Sequence, residues 1–469
     1  MKKISLFAAS ALLAACSNPP SMPDASDART DTRVDAQPPQ DTGVPTDTGV
    51  VTDTGVDTDT GVATDSGVDM DTGVSADTGV VTDTGVATDT GVGMDTGVRT
   101  DTDVPADVRE AGADTGVDSG VTADTGVGDA GAPGPELWIS RVGDGMAALT
   151  NASTAVFIER RSSVNGATRA ATFGLPTAMM AMNRPVTLSG TATSEGALLR
   201  SGNGRFVTLA GYATAPGLAS VASSASTMVP RVVARIGADT VTNSSTTLGM
   251  AYTANNVRSA FSADGTSFYV SGNGMPGGVH YQPLAAAAEP INVLAMPTNT
   301  RIVSIFGGQL YASASTAPNF YGVFAIGTGT PTAAGAMGTP EPGFPTMSGP
   351  SSYGFVAFDR NSAVPGIDVL YVADDRSPAM GGGIQRWTRA TSGGPWALAA
   401  TFNADIMSGV RGLAAWLDGT DVVLVAVTGE NPSRVVRYVD RGMMPGAPTV
   451  LATAPMNTQF RGVALAPAM

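Results

Sequence analysis

Ser262-Ala263-Asp264-Gly265-Thr266-Ser267-Phe268-Tyr269-Val270-Ser271-Gly272, followed by Gly278-Val279-His280-Tyr281-Gln282, is the stretch that decides the fold. An Asp-Gly pair stands directly before a β-branched and aromatic run. Asp-Gly in that place marks a tight hairpin, because its turn needs positive φ and glycine supplies it without strain. A second short run returns after a glycine-rich loop. Each run is four to eight residues long, too short for a helix and of strand composition.

The same order recurs along the chain. Arg200-Ser201-Gly202-Asn203-Gly204 precedes RFVTL, and Leu417-Asp418-Gly419-Thr420 precedes DVVLVAV. Third strands follow in GGVHYQ, GGGIQRW and SRVVRYV, and further runs lie at 137–142, 155–159, 231–236, 301–306, 309–313, 321–326, 353–359 and 368–374. No stretch sustains a helical period. Hairpin, third strand and usually a fourth, recurring at about fifty residues, describe the blades of an all-β propeller. The count gives six blades, with RGVALA at 461–466 completing the blade begun at 137–173 and closing the ring between the domain termini. Seven blades and a two-sheet β-sandwich are the alternatives.

Residues 137–469 resemble a family of exported bacterial propeller-like proteins. The likeness is carried by RVGDG at 141–145, LSGTATSEGALLRSGNGRFVTLAGY at 188–212, PTNTRIVSIFGGQLYAS at 297–313, GFPTMSGPSSYGFVAFD at 343–359, LYVADDR at 370–376 and GGGIQRW at 381–387. It implies the fold and brings no catalytic residues with it.

Upstream, the composition changes completely. From Asp41 the chain repeats every six residues, as in TDTGVV, TDTGVA and MDTGVR, and between Ser17 and Glu136 there is no aromatic, Leu or Ile. Such a segment cannot bury enough apolar surface to offset about 1–2 kcal/mol of backbone entropy per residue, so residues 16–136 are expected to form a disordered acidic tether. Asp-Thr-Gly is also the triplet of aspartic proteases, but that chemistry needs two such turns held face to face by apolar strands, which are lacking here. A hexapeptide coil with stacked aspartates is a second alternative, and diffuse calcium binding a third. The solvated spacer is preferred to both.

The first fifteen residues, MKKISLFAASALLAA, combine two lysines with an apolar run too short to span a bilayer, the pattern of a signal peptide. Leu13-Ala14-Ala15-Cys16 resembles the bacterial lipobox, in which the cysteine thiol receives a diacylglycerol. Cys16 is the only cysteine, which leaves no disulfide and no thiolate metal site. With Ser17 rather than Asp following it, the expected address is the cell envelope, lipid-anchored at the outer membrane.

Charge divides with the domains. Residues 17–135 carry −20, while residues 136–469 carry +3 and contain no lysine. No nucleic-acid stripe and no polybasic membrane patch is visible in the domain, and no phosphate loop supports nucleotide binding. His280 is the only histidine, so a histidine zinc site is excluded. It alternates with apolar neighbours and reads as a strand histidine with a hydrogen-bond partner.

Carboxylates and aromatics remain. Asp374-Asp375-Arg376 ends the strand LYVA, with Asp359 and Asp368 nearby in sequence. Asp374, Asp375 and Asp359 could hold a calcium ion or place an acid and base over a glycan. The plainer reading is a turn capped by its own aspartate and paired with Arg376. Trp387, Trp396 and Trp416 could form a sugar platform, against core packing as the ordinary role. Three function classes follow: a surface binding or scaffold module for an extracellular protein or glycan, a calcium- or carboxylate-dependent hydrolase or lyase, and a passive envelope component. Lack of Lys, free thiol and a second His favours the first over catalysis. Anchoring is tested directly by Cys16→Ser: the variant should accumulate as an uncleaved or soluble exported form, and normal membrane fractionation would remove the lipoprotein reading.

Overall fold

The computed structural model describes residues 134–443 and 446–468, and of the acidic repeat only the backbone of nine short strands between Thr46 and Asp95. Two units are separable, 1–115 and 116–469. In the first, Thr46–Asp47 pairs in parallel with Ala63–Asp65, and that strand with Val81–Asp83; two further ladders repeat the arrangement. Partners such as Thr46, Thr64 and Thr82 stand three hexads apart, the spacing of the coil set aside above. The leader, Cys16 and the rest of the tether lie outside the described residues.

Among the described residues the second unit is all-β, with twenty-five strands and two single-turn 3-10 helices at Val221–Ser223 and Pro378–Met380. Each apolar run quoted from the sequence is a strand. Four sheets stand alone, each an antiparallel meander of four sequential strands. They are Val257–Phe261 to Ile291–Leu294, Thr300–Phe306 to Gly338–Pro340, Ser352–Phe358 to Ala397–Phe402, and Val410–Asp418 to Thr449–Thr453. These are four discrete propeller blades. The hairpin chemistry is as expected. Gly265 takes φ +90°, and Asp264 accepts from the Thr266 amide at 2.8 Å and its hydroxyl at 2.7 Å.

The remaining strands do not separate into two further sheets but form one of nine strands. It contains the meander Gln459–Leu465, Glu136–Val142, Ser153–Ser162, Thr168–Gly174, and a second built from Leu199–Arg200, Phe206–Tyr212, Arg231–Gly237 and Thr242–Thr247. The short strand Thr187–Ser189 stitches them, pairing Ser189 with Ser153 on one side and Thr187 with Tyr212 on the other.

Closure between the termini is direct. Gln459–Leu465 runs antiparallel to Glu136–Val142, with Leu137 opposite Leu465 and Ile139 opposite Val463. First strands then pack on one another around an axis. Leu199–Arg200 lies between Gln459–Leu465 and Val257–Phe261, and the contacts continue through Thr300–Phe306, Ser352–Phe358 and Val410–Asp418 back to Gln459–Leu465. The closing strand buries Phe460 and Val463 to 1% exposure in a cluster with Leu137, Ile139, Val425 and Val435. Burying each such side chain is worth about 1.5–3 kcal/mol, against a total of roughly 5–15 kcal/mol for a typical domain. Deletion of residues 458–469 should therefore cause aggregation or a melting temperature far below that of the intact chain. A shift of only a few degrees in a thermal melt would mean that closure does not hold the domain together.

Candidate functional site

The inner strands share an irregularity. In each of five, the register with the second strand slips at the same place near its start. The slip falls between Val257 and Ser259, Thr300 and Val303, Ser352 and Phe355, and Val410 and Gly412; on the closing strand it falls between Phe460 and Gly462. The residues at or beginning the slips are Arg258, Arg301, Tyr353, Arg411 and Arg461. A β-bulge bends its strand and re-aims the extra side chain. Five successive bulges thus gather four guanidiniums and a phenol ring at one level of the ring of inner strands.

Glu195 supplies the sixth member, from the loop preceding Leu199–Arg200. That loop is fitted closely to the closing strand. Gly196 has φ +83°, and a Cβ there would lie 2.7 Å from Cβ of Arg461. A Cβ on Gly462 would in turn meet the Leu198 amide nitrogen at 2.4 Å. Ser140 locks the contact, donating to the Gly196 carbonyl at 2.6 Å and accepting from the Gly462 amide at 2.8 Å.

Arg258, Arg301 and Arg461 each commit one terminal nitrogen of the guanidinium to a neighbouring element, and Arg411 commits both. Arg258 donates to the Thr300 carbonyl at 2.9 Å, Arg301 to the Ser351 hydroxyl at 2.8 Å, and Arg461 to the Gly190 carbonyl at 2.6 Å. Arg411 donates to the Thr193 carbonyl at 3.2 Å and pairs with Asp375 at 2.9 Å. Tyr353 is shared, with the Arg301 and Arg411 guanidinium carbons 4.2 and 5.4 Å from its ring centre. The Nε atoms of all four have no hydrogen-bond partner among the described residues, a condition Arg231 shares.

Burial lowers the affinity of three of these cations for their protons. It acts on Arg258 and Arg301, and lowers Arg461 to about 10, where Glu195 opposes the shift and Arg411 adds to it. Glu195 responds oppositely: burial pushes its carboxyl up, against hydrogen bonds from Tyr212 at 2.5 Å, Asn256 at 2.6 Å and the Ser189 amide at 2.9 Å. The four guanidiniums of the belt outnumber the carboxylates that face them, Asp375, Glu195 and, at Arg301, Asp374. Beside Arg461 opens a cleft of about 410 Å³, whose lining includes Thr191, Thr193, Asn431, Asn457 and Gln459.

The candidates drawn from sequence sit elsewhere or serve this belt. Asp374 is fully buried and saturated by donors: Arg376 Nη2 at 2.6 Å, Gln385 at 2.9 Å, and the Arg376 and Ser351 amides at 3.0 and 3.1 Å. Asp375 is the partner of Arg411. Asp359 is exposed beyond the opposite end of the hairpin, which pairs Ser352 with Asp374 and Phe358 with Val369. At about 3.3 Å per residue it stands roughly 20 Å from Asp374, so the three do not converge. Among the described residues, no group of three or more His, Cys, Asp or Glu is placed to hold a metal. The tryptophans do not form a platform either. Trp387 and Trp396 are each 5% exposed, the first against Phe344 and the second hydrogen-bonded to Glu341 at 3.0 Å, while Trp416 packs on the closing-strand cluster.

The arginine belt was missed in the sequence. Its signal is an arginine recurring near the start of four inner strands, in Val257-Arg258, Thr300-Arg301, Val410-Arg411 and Phe460-Arg461, with Tyr353 in the matching place of Ser352–Phe358. Only alignment of the blades on their first strands brings these positions together.

No family model matches the chain, and no curated protein does. Among solved structures it is similar to a proposed 6-phosphogluconolactonase from Bacteroides fragilis, at 12% identity and TM-score 0.38, over 70% of this chain and 83% of that one. It is similar also to the periplasmic gluconolactonase of Pseudomonas aeruginosa, at 13% identity and TM-score 0.37, over 68% and 83%. The WD40 β-propeller domain of Doa1 is a third, at 10% and 0.37, over 69% and 88%. Likeness at this level carries no residue role across.

His280 stands apart from the belt. It is 1% exposed, with Nδ1 3.0 Å from the Tyr252 hydroxyl, and that hydroxyl donates to the Val270 carbonyl at 2.6 Å. Burial lowers the imidazole from 6.5 to about 4. Between those values the unfolded chain binds the proton and the native one does not, so stability present above pH 6.5 is lost as pH falls. At pH 4 the loss from this group is roughly 3 kcal/mol. Urea denaturation of His280→Asn should show a correspondingly shallower decline from pH 7 to pH 4 than the parent, and parallel declines would place the acid sensitivity elsewhere.

Proposed function

We propose that the chain is an envelope lipoprotein, anchored through Cys16 at the outer membrane, whose acidic repeat presents a propeller as a binding module. We read the nine-stranded sheet as two blades bridged by Thr187–Ser189, which makes six in the ring. The ligand is taken at the arginine belt. The observation that carries this reading is the placement of Arg258, Arg301, Tyr353, Arg411 and Arg461 on five bulges at one level of the inner ring.

Two features favour binding over acid–base chemistry at that place. Asp375 is paired with Arg411, and Asp374 with Arg376 and Gln385, so both carboxylates are engaged by the protein's own donors. Arginine does not titrate in the physiological range and serves as a fixed, planar donor. An anchored module on a long repeat suits capture of an extracellular glycan or protein.

The test is a glycan and protein array probed with the purified protein and two variants, with and without calcium. Loss of one charge-assisted contact costs about 1.5–3 kcal/mol, at least tenfold in affinity. Arg301→Ala should therefore abolish or strongly weaken the array signal. Arg441→Ala, at an exposed position paired only with Asp421, should leave it unchanged. Signal that survives Arg301→Ala and disappears in Arg441→Ala would put the ligand on the outer rim.

A further inference from the structure

We infer that the ligand is a carboxylate-bearing saccharide, its acid group held by the arginine belt at Arg461 and its hydroxyls laid along the adjoining cleft. The inference rests on the binding-module reading and adds the chemistry of the ligand to it.

The charge argument comes first. Four guanidiniums at one level, those of Arg258 and Arg461 buried and those of Arg301 and Arg411 half-buried, repel one another; the carboxylates that face them are Asp375, Glu195 and, at Arg301, Asp374, of which Asp374 is already held by Arg376 and Glu195 is pushed toward its neutral form by burial. An arginine with a purely structural duty looks different in this domain. Arg231, fully buried, spreads its Nη atoms over the Val229, Ala222 and Asn255 carbonyls and the Ser224 hydroxyl. Arg461 is 5% exposed and donates only to Gly190 among the described residues, yet it also lines the cleft. A buried guanidinium with most of its donors uncommitted, opening on a cleft, is arranged for an oxyanion, which it can meet with two parallel hydrogen bonds.

The cleft specifies the rest of the ligand. Thr191, Thr193 and Asn431 are uncharged groups that both donate and accept, while Asn457 and Gln459, whose amide nitrogens already donate to the Gly145 and Glu430 carbonyls, add uncharged polar walls. Glu430, also in the lining, is engaged by Arg434 at 2.5 Å. A volume of about 410 Å³ lies within the range of small-ligand pockets, which are mostly apolar, whereas this lining is rich in amides and hydroxyls. Hydroxyls of a sugar match such a lining; an aliphatic acid or a bare inorganic ion leaves it unpaired.

Titration calorimetry on the intact protein at low salt tests this with three probes: trigalacturonate, neutral galactotriose and inorganic phosphate. Trigalacturonate should bind at least tenfold more tightly than either of the others, and more weakly as salt is raised. Arg461→Gln should reduce its affinity tenfold or more, and Asn431→Ala should reduce it without changing any phosphate affinity. Should Arg461→Gln fail to fold, Asn431→Ala and Thr191→Val keep the test, since they leave the belt intact. Equal binding of acid and neutral sugar, phosphate as tight as the acid, or no binding of trigalacturonate would each overturn the inference. A neutral array ligand still lost in Arg301→Ala would overturn the inference alone, whereas an array ligand indifferent to Arg301 would remove the binding-site reading as well.

Discussion

The pairing of Gln459–Leu465 with Glu136–Val142 is the constraint on which the rest of the domain depends. A row of meanders has two open edges, and open edges invite other chains. Here the first and last strands of the domain satisfy each other, and no disulfide is available to do the same work in a chain whose one cysteine lies at position 16. The closing strand also carries Arg461, and its glycine, Gly462, admits the loop that brings Glu195 to the axis. Closure and one member of the candidate site therefore share a single strand. Damage to one is damage to the other, which is why ligand tests need variants outside that strand.

The belt illustrates how a regular fold acquires an irregular surface. In an unbroken inner strand, alternate side chains face the neighbouring blades and are drawn into apolar packing. The extra residue of a bulge escapes that alternation. Burial of several cations in one place is costly unless acceptors are built around them. The blade entrances provide these as the Thr300, Gly190 and Thr193 carbonyls and the Ser351 hydroxyl, and Tyr353 adds a shared aromatic face. Those contacts hold the guanidiniums in place while leaving donors uncommitted, which is the preorganisation that a binding site for an anion requires.

The inner and middle strands were legible because their environment is uniform. Runs such as DVVLVAV and SFYVSG are buried almost throughout, and burial selects β-branched and aromatic residues. The outermost strands were not. Thr168–Gly174 and Ala397–Phe402 lie largely exposed at the rim, and their sequences, TRAATFG and ALAATF, carry no apolar alternation to read. The separation of blades was legible only in part, since the three residues Thr187–Ser189 suffice to fuse two meanders and leave no mark in the hairpin pattern. Asp374 belongs to a dense polar cluster in sequence, and in space that density is saturation, since Arg376, Gln385 and the Ser351 amide all donate to it.

The belt is not legible in the sequence for a related reason. Its members are separated by roughly a blade each, and all but Tyr353 and Glu195 are single arginines near the start of a strand. The repeat length in the sequence gives blade spacing but not register, and a one-residue slip moves a side chain to the other face of a strand. Register is set here by bulges, which depend on three-dimensional pairing and carry no local sequence signature. Glu195 is harder still, because it reaches the axis from a loop rather than from a strand and owes its place to two glycines, Gly196 and Gly462, that let backbones touch. A site assembled from equivalent positions of a repeated fold becomes visible only when the repeats are superimposed, and in this chain the superposition had to include the strand that comes last in sequence and first in the ring.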